Sequence, residues 1–165
     1  MARARSGVRA AQELPEHRML LGGSGWQDKA LPANVKYLGH VYTAEHNAFN
    51  CSALCVLNVA RDSMADVGFS PATRVFEAAG AAGCVITDAW EGLELFFEPG
   101  KEMLVARDGA EVAEHLQHLD GPTALAVGQA AFRRVLAQHT YAHRAAQLEA
   151  VLQGREAMQA TEAAS

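Results

Sequence analysis

Apolar residues in this chain gather into short unbroken runs, separated by longer stretches in which they recur every three or four positions. The runs predict strands at residues 19–21, 35–41, 53–59, 84–87 and 103–106. The periodic stretches predict helices at 6–14, 43–52, 70–83, 93–97, 110–119, 122–138 and 140–153. The run at 53–59 shows no alternation, which predicts a strand buried on both faces. Strands alternating with helices predict an α/β fold, a doubly wound parallel sheet flanked by helices. Ligands bind such a sheet beyond the carboxyl ends of its strands, here at residues 22–25, 61–68 and 88–92.

At 165 residues the chain has room for one domain, since domains commonly run to about 100 to 200 residues. Hydrophobic residues at 50% and charged residues at 20% suit a soluble, compact domain. The net charge of -5 offers no broad basic field for nucleic acid. No window approaches the roughly 18 apolar residues of a membrane helix, and the start lacks a signal-peptide core, so a cytoplasmic location is expected. Cys55 and Cys84 fall in apolar runs and read, with Cys51, as thiols of a reducing compartment. Residues 1–14 read as an N-terminal tail and linker helix with a basic start, and residues 154–165, rich in Ala, Gln, Glu and Thr, as a disordered tail.

The most informative stretch is Gly68-Phe-Ser-Pro-Ala-Thr-Arg-Val-Phe-Glu77, which runs on through Gly83 into Cys84-Val-Ile-Thr-Asp88. Ser70 can cap a helix, Pro71 fits its first position, and Arg74 and Glu77 follow. A positive helix end, a cation and a carboxylate suit a nucleotide: diphosphate at the helix start, ribose hydroxyls on the carboxylate. The competing reading of Arg74 and Glu77, three residues apart, is an exposed helical ion pair.

The stretch also resembles the donor-binding region of GT-B glycosyltransferases, in particular the CgeB (spore maturation) branch and its family 1-like relatives. That branch carries an Asn-Val/Ile-x-Arg strand end, a Ser-Pro-x-x-Arg-x-Phe-Glu-Ala helix and a Ser/Thr-Asp-x-x-x-Gly-Leu loop. Further stretches resemble it in order: Leu31-Pro-Ala-Asn-Val-Lys-Tyr-Leu-Gly-His40, Leu57-Asn-Val-Ala-Arg61, Gly100-Lys-Glu-Met-Leu-Val105 and His139-Thr-Tyr-Ala-His-Arg144. Together they cover residues 15–153, the expected donor-binding domain, and imply a Rossmann-like fold forming one half of a GT-B enzyme. The implied function is binding of a nucleotide-diphosphate sugar for transfer to a hydroxyl acceptor, with turnover needing an acceptor-binding domain or a separate chain. No cofactor or metal is implied. The alternative is a non-catalytic Rossmann-like module that pairs with another protein.

Arg61 follows a buried strand at its carboxyl end, where it or Arg74 would meet the diphosphate; an ordinary surface cation is the duller reading. Gly23, Ser24 and Gly25 could cradle a phosphate through backbone N–H groups or form a plain tight turn. Asn58 could bond the ligand or tie down a loop. Asp88, with Arg74, is the candidate for the chemical step, and a pairing of Asp88 with Glu91, Glu94 or Glu98 as acid and base is the weaker option. His115 with His118 and His139 with His143 share helix faces but lack a third ligand in the sequence, so surface or capping roles are expected.

Two departures from the wider GT-B pattern stand out. Phe69 occupies the position eight before Glu77 where many retaining members carry a second glutamate, and the usual basic pair near the first strand is missing, with only Lys29 nearby. If the other half of a GT-B cleft is supplied from elsewhere, Trp26, Trp90, Leu93 and Phe96 are expected to form an uncovered apolar face for a homo-oligomer or a separate acceptor-domain chain.

Overall fold

The computed structural model describes residues 4–60, 64 and 67–155; Arg61 and the tail beyond residue 155, both singled out above, lie outside the described residues. The elements follow in order α1 (Ala4–Glu13), β1 (Met19–Gly22), β2 (Val35–Gly39), a 3-10 turn (Thr43–Glu45), α2 (His46–Cys51), β3 (Val56–Asn58), α3 (Thr73–Gly80), β4 (Val85–Asp88), a second 3-10 turn (Leu93–Leu95), β5 (Leu104–Ala106), α4 (Gly109–His118), α5 (Gly121–Gln138) and α6 (Tyr141–Leu152). All five strands pair in parallel, as β1-β2 and β3-β4-β5, which gives the expected Rossmann-like α/β architecture. The ladder is divided between these two groups instead of running as one sheet among the described residues.

Several elements are shorter than their apolar runs. β2 stops at Gly39, which takes a φ of 75°, a left-handed conformation that a strand cannot continue through. The helix expected over 43–52 opens as a 3-10 turn and becomes α-helical only from His46. α4 and α5 begin at Asp108 and Asp120, whose carboxylates accept from Ala110 N (2.8 Å) and Thr123 N (2.8 Å).

Alternation along β3 and β4 divides the core into two layers. Val56 and Val85 point to one face, where Val75, Ala78 and Ala79 of α3 and Ala131 and Val135 of α5 meet Phe97 and Met103. Leu57 and Ile86 point to the other, against Ala10 of α1 and Val112 of α4. α1 was expected as a linker helix, but Ala10 and Ala11 are fully buried and the helix packs along α4. α5 crosses the end of α3 at Gly128, where a Cβ would stand 2.1 Å from the Ala82 carbonyl oxygen. α3 is therefore pressed between sheet and α5 and has little freedom to shift.

Glu102 ties this layer together. Its buried carboxylate receives Arg134 Nε at 3.0 and 2.9 Å and the Glu98 N–H at 2.8 Å, joining the turn before β5 to the middle of α5. The Glu102 carboxylate is largely out of water and accepts three hydrogen bonds, the condition under which losing its partner is costly.

Candidate functional site

The carboxyl ends of β3 and β4 are stitched by side chains. Asn58 Nδ2 donates to Thr87 Oγ1 at 3.0 Å, and Asp88 Oδ1 accepts from Thr87 Oγ1 at 3.5 Å and from the Ala60 N–H at 2.9 Å. Asn58 and Thr87 are buried, so the network fixes the direction in which both loops leave the sheet. Of the two expectations for Asn58, the loop-tying role is thus present in the geometry. Thr87 was not singled out from sequence, because a Thr inside a β-branched strand looks like strand filler. A cavity of about 230 Å³ opens beside Asp88 at this edge, lined also by Leu57, Val59, Ala89, Arg107 and Val112.

The helix expected from Ser70 starts three residues later. Ala72 is the N-cap, with extended backbone angles (φ -67°, ψ 138°), so Ser70 and Pro71 lie in the approach to α3 and not in its first turn. Phe69 explains the delay: it holds a φ of 50°, its N–H donates to the Glu91 carbonyl at 2.8 Å, and its ring lies against Gly92. Since the alanine methyl accepts no hydrogen bond, the leading N–H groups of α3 receive no side-chain cap from that position. Val75, Ala78 and Ala79 bury the inner face, leaving Arg74 and Glu77 exposed on the outer one.

Glu77 does not pair with Arg74. Its carboxylate lies 3.6 Å from His46 Nδ1 of α2, with 43% of its side chain exposed, and Arg74 makes no ion pair among the described residues. His46 was missed from sequence; nothing local links it to a carboxylate on a later helix.

The Gly22-Gly-Ser-Gly25 turn is a different kind of place. The Gly23 N–H donates to the Gly39 carbonyl (2.7 Å), the Gly25 N–H donates to Gln27 Oε1 (3.0 Å), and Tyr37 OH donates to the Gly23 carbonyl (2.8 Å). Two of the three N–H groups expected to face a phosphate are thus already bonded within the chain. Lys29 Nζ sits 5.1 Å from the centroid of the Trp26 ring, a cation–π contact.

The histidines each have their own partners. His115 contacts the Val105 carbonyl, His118 the Glu114 carbonyl, and His143 joins Thr140 in capping α6. His139 sits among Phe76, Phe96 and Phe97, with Nε2 2.9 Å from the Phe96 carbonyl and Arg144 Nη2 2.6 Å from Nδ1. A guanidinium only donates, so Nδ1 accepts and Nε2 carries the proton. Burial, helped by the nearby Arg144 and Arg134 charges, holds this imidazole below its ordinary pKa, against the opposing pull of the Phe96 carbonyl. Burial also pushes the Cys55 and Cys84 thiols up, to about 12 and about 11, and all three cysteines are free.

The expected apolar association face is not formed as anticipated. Trp90 is 8% exposed and Leu93 2%; Trp90 packs on Phe96, and Phe96 on Phe76 of α3. Aromatic contact with a helix far away in sequence covers side chains that the isolated loop would leave in water.

Comparison with known proteins adds to this geometry. The glycosyl transferase-like family matches residues 3–150, from the start of α1 to near the end of α6. The chain belongs to that family. Among solved structures, this glycosyl transferase-like domain is similar to sucrose-phosphate synthase from Thermosynechococcus elongatus, with a TM-score of 0.75 and 18% identity over 93% of this chain and 42% of that one. It is also similar to AviGT4, a glycosyltransferase involved in avilamycin A biosynthesis, with a TM-score of 0.61 and 20% identity over 93% of this chain and 49% of that one. The domain therefore spans less than half of either structure, and the likeness is one of fold, that of GT-B glycosyltransferases. No curated protein sequence matches it significantly. Among the described residues no helix is long and apolar enough to cross a membrane.

Proposed function

We propose that this chain is the nucleotide-sugar-binding half of a GT-B glycosyltransferase of the CgeB-like kind, working in the cytoplasm with an acceptor-binding half supplied by a second domain or chain. The observation that carries the proposal is the start of α3. Its leading N–H groups receive no cap from Ala72, they follow the chain leaving β3, and Glu77 stands exposed one turn further along the same helix. A diphosphate at that start gains hydrogen bonds and the favourable end of the helix dipole. Arg74 and Arg61 add charge, Ser70 adds a hydroxyl on the approach, and Glu77 accepts from the ribose hydroxyls.

Catalysis then rests on stabilising charge that develops on the departing diphosphate, while a hydroxyl acceptor attacks the anomeric carbon. Arg74 is assigned to touch that charge. Asp88, with Oδ1 engaged by the Ala60 N–H, is assigned to hold the loop between β3 and α3 at the reacting edge, and Asn58 supports it through Thr87. Gly23, Ser24 and Gly25 border the site with a smaller share in binding. No divalent cation takes part in this scheme.

Calorimetric titration with UDP, dTDP, GDP and ADP tests the proposal. One of them binds, binding survives excess chelator, and Glu77→Ala weakens it by roughly 10- to 100-fold, the loss of about 1.5 to 3 kcal/mol of charge-assisted hydrogen bonding. Binding of none favours the non-catalytic module instead, and binding that needs added magnesium or manganese overturns the metal-independent scheme.

A further inference from the structure

The three cysteines are free, and two of them meet at the end of the sheet opposite the candidate site. β3 and β4 pair with Val56 beside Val85, so the same register carried one residue back sets Cys55 beside Cys84. The Val56 N–H donates to the Cys84 carbonyl at 2.7 Å and holds the two segments together at that step. Val56 and Val85 face the layer with α3, so strand alternation turns Cys55 and Cys84 to the other side. There Cys84 is buried with Leu119, Ala124 and Val127, and Cys55 packs on the same cluster. Register partners on neighbouring strands stand about 5 Å apart, inside the roughly 4.4 to 6.8 Å between α-carbons that a disulfide spans.

The two thiols differ in their surroundings. Cys84 is 3% exposed, and Gly83 before it is pressed on α2, where a Cβ would stand 2.7 Å from the Asn50 carbonyl oxygen; this side is fixed. Cys55 is half-buried and follows an exposed, irregular stretch at residues 52–54, so it meets solvent and has room to adjust. Burial, and after it the nearness of Cys84, pushes the Cys55 thiol up, and burial does the same to Cys84. Each thiol is therefore protonated at neutral pH and slow to react, whereas a disulfide is an uncharged link that burial does not penalise. Cys51, exposed at the end of α2, lies outside this cluster, with its Sγ 3.9 Å from the Ala48 carbonyl.

We propose that Cys55 and Cys84 form a reversible disulfide joining the amino ends of β3 and β4, closed by a small disulfide such as oxidised glutathione and opened by a dithiol. The Cys55 thiolate attacks one sulfur of glutathione disulfide, and the glutathione that leaves takes up the proton Cys55 gave. The Cys84 thiolate then attacks the Cys55 sulfur, breaking its bond to the second glutathione, which leaves and is protonated in turn. Two protein thiols are oxidised and one glutathione disulfide is reduced to two glutathione thiols. The bond closes residues 55–84 into a covalent ring containing α3, with Arg74 and Glu77 on it. It does not depend on the donor-binding reading above.

The test uses the Cys51→Ser chain, so that the exposed thiol does not interfere, treated with oxidised glutathione without denaturant and then with dithiothreitol. Peptide mapping under non-reducing conditions is expected to find Cys55 joined to Cys84 within one chain. Closing a loop of roughly 30 residues should raise the melting temperature by about 5 to 15 °C, a gain that dithiothreitol reverses. Closure should also speed up about tenfold per pH unit between roughly pH 7 and 9, because the thiolate is the attacking species and both thiols titrate above that range. Adding Cys55→Ser, at the half-exposed position, should abolish both the bond and the temperature rise. Oxidation that stops at a glutathione adduct, links two chains, or joins Cys55 to Cys84 only in denaturant overturns the proposal.

Discussion

The start of α3 and the glycine turn after β1 were both read from sequence as places able to hold a phosphate, and they differ sharply in what stands behind them. The approach to α3 rests on a helix whose inner residues are buried against β3, β4 and α5, and its loop is pinned to the neighbouring loop by Phe69 and Gly92. The glycine turn after β1 borders a two-stranded pair with Leu20 and Leu38 exposed, and a Cβ added to Gly23 or Gly25 would meet nothing within 4 Å. Its N–H groups at Gly23 and Gly25 are already used. Glycine content advertises conformational freedom, but binding a charged group in fixed geometry needs donors that are available and a scaffold that does not yield.

The sharpest way to break this contrast is through the scaffold. Phe97→Ala, in the layer between β4 and α3, is expected to cost about 3 to 5 kcal/mol in denaturant unfolding, whereas Leu20→Ala in β1 costs less than about 1 kcal/mol. Similar values for the two would mean that β1-β2 is as firmly built as the rest. Next comes Arg134→Ala, which leaves the Glu102 carboxylate buried with one fewer partner and should cost about 2 to 4 kcal/mol. Removing both charges together, as Glu102→Gln with Arg134→Met, should recover part of that loss. An Arg134→Ala protein as stable as wild type would show that the pair does not hold α5 to the sheet.

Among binding effects, Glu77→Ala should exceed Gly25→Ala clearly: roughly 10-fold or more against about threefold or less in diphosphate affinity. The reverse order would move the phosphate to the glycine turn. The smallest effect concerns the far side of α3, where His139 packs on Phe76. Its folded pKa lies below the ordinary 6.5, so the folded chain binds fewer protons than the unfolded one as pH drops beneath that value. The stability it contributes is fully present above 6.5 and is lost as pH falls through the folded value. Unfolding free energies measured from neutral pH downward should therefore decline less steeply in His139→Gln, which keeps a donor for the Phe96 carbonyl and an acceptor for Arg144 but does not titrate.

Much of the fold was legible locally. The apolar runs around Val56, Val85 and Leu104 became parallel strands as expected, because an unbroken apolar run offers no polar alternation to confuse it. What failed did so through contacts between distant segments. Ser70 and Pro71 have the chemistry of a helix start, yet the hold of Glu91 and Gly92 on Phe69 keeps the chain extended through Ala72. Trp90 and Leu93 were expected on an uncovered apolar face, but both are buried, Trp90 packing on Phe96 and Phe96 on Phe76. Arg74 and Glu77 had the spacing of an ion pair, but Glu77 lies beside His46 on a helix that sequence proximity could not nominate. The candidate site was nominated by its motif, while the contacts its residues make were fixed by packing.

The account's central claim is that the diphosphate sits at the start of α3 and not at the glycine turn. Two-dimensional amide NMR during titration with UDP, dTDP, GDP and ADP addresses it directly, since hydrogen bonding to a phosphate moves an N–H resonance strongly. The account predicts that the largest shifts fall on Thr73, Arg74 and the preceding Ser70, with lesser ones at Glu77 and around Asp88, and that Gly23 and Gly25, whose N–H groups are bonded within the chain, move little. Largest shifts at Gly23 to Gly25, with the start of α3 unmoved, would contradict it.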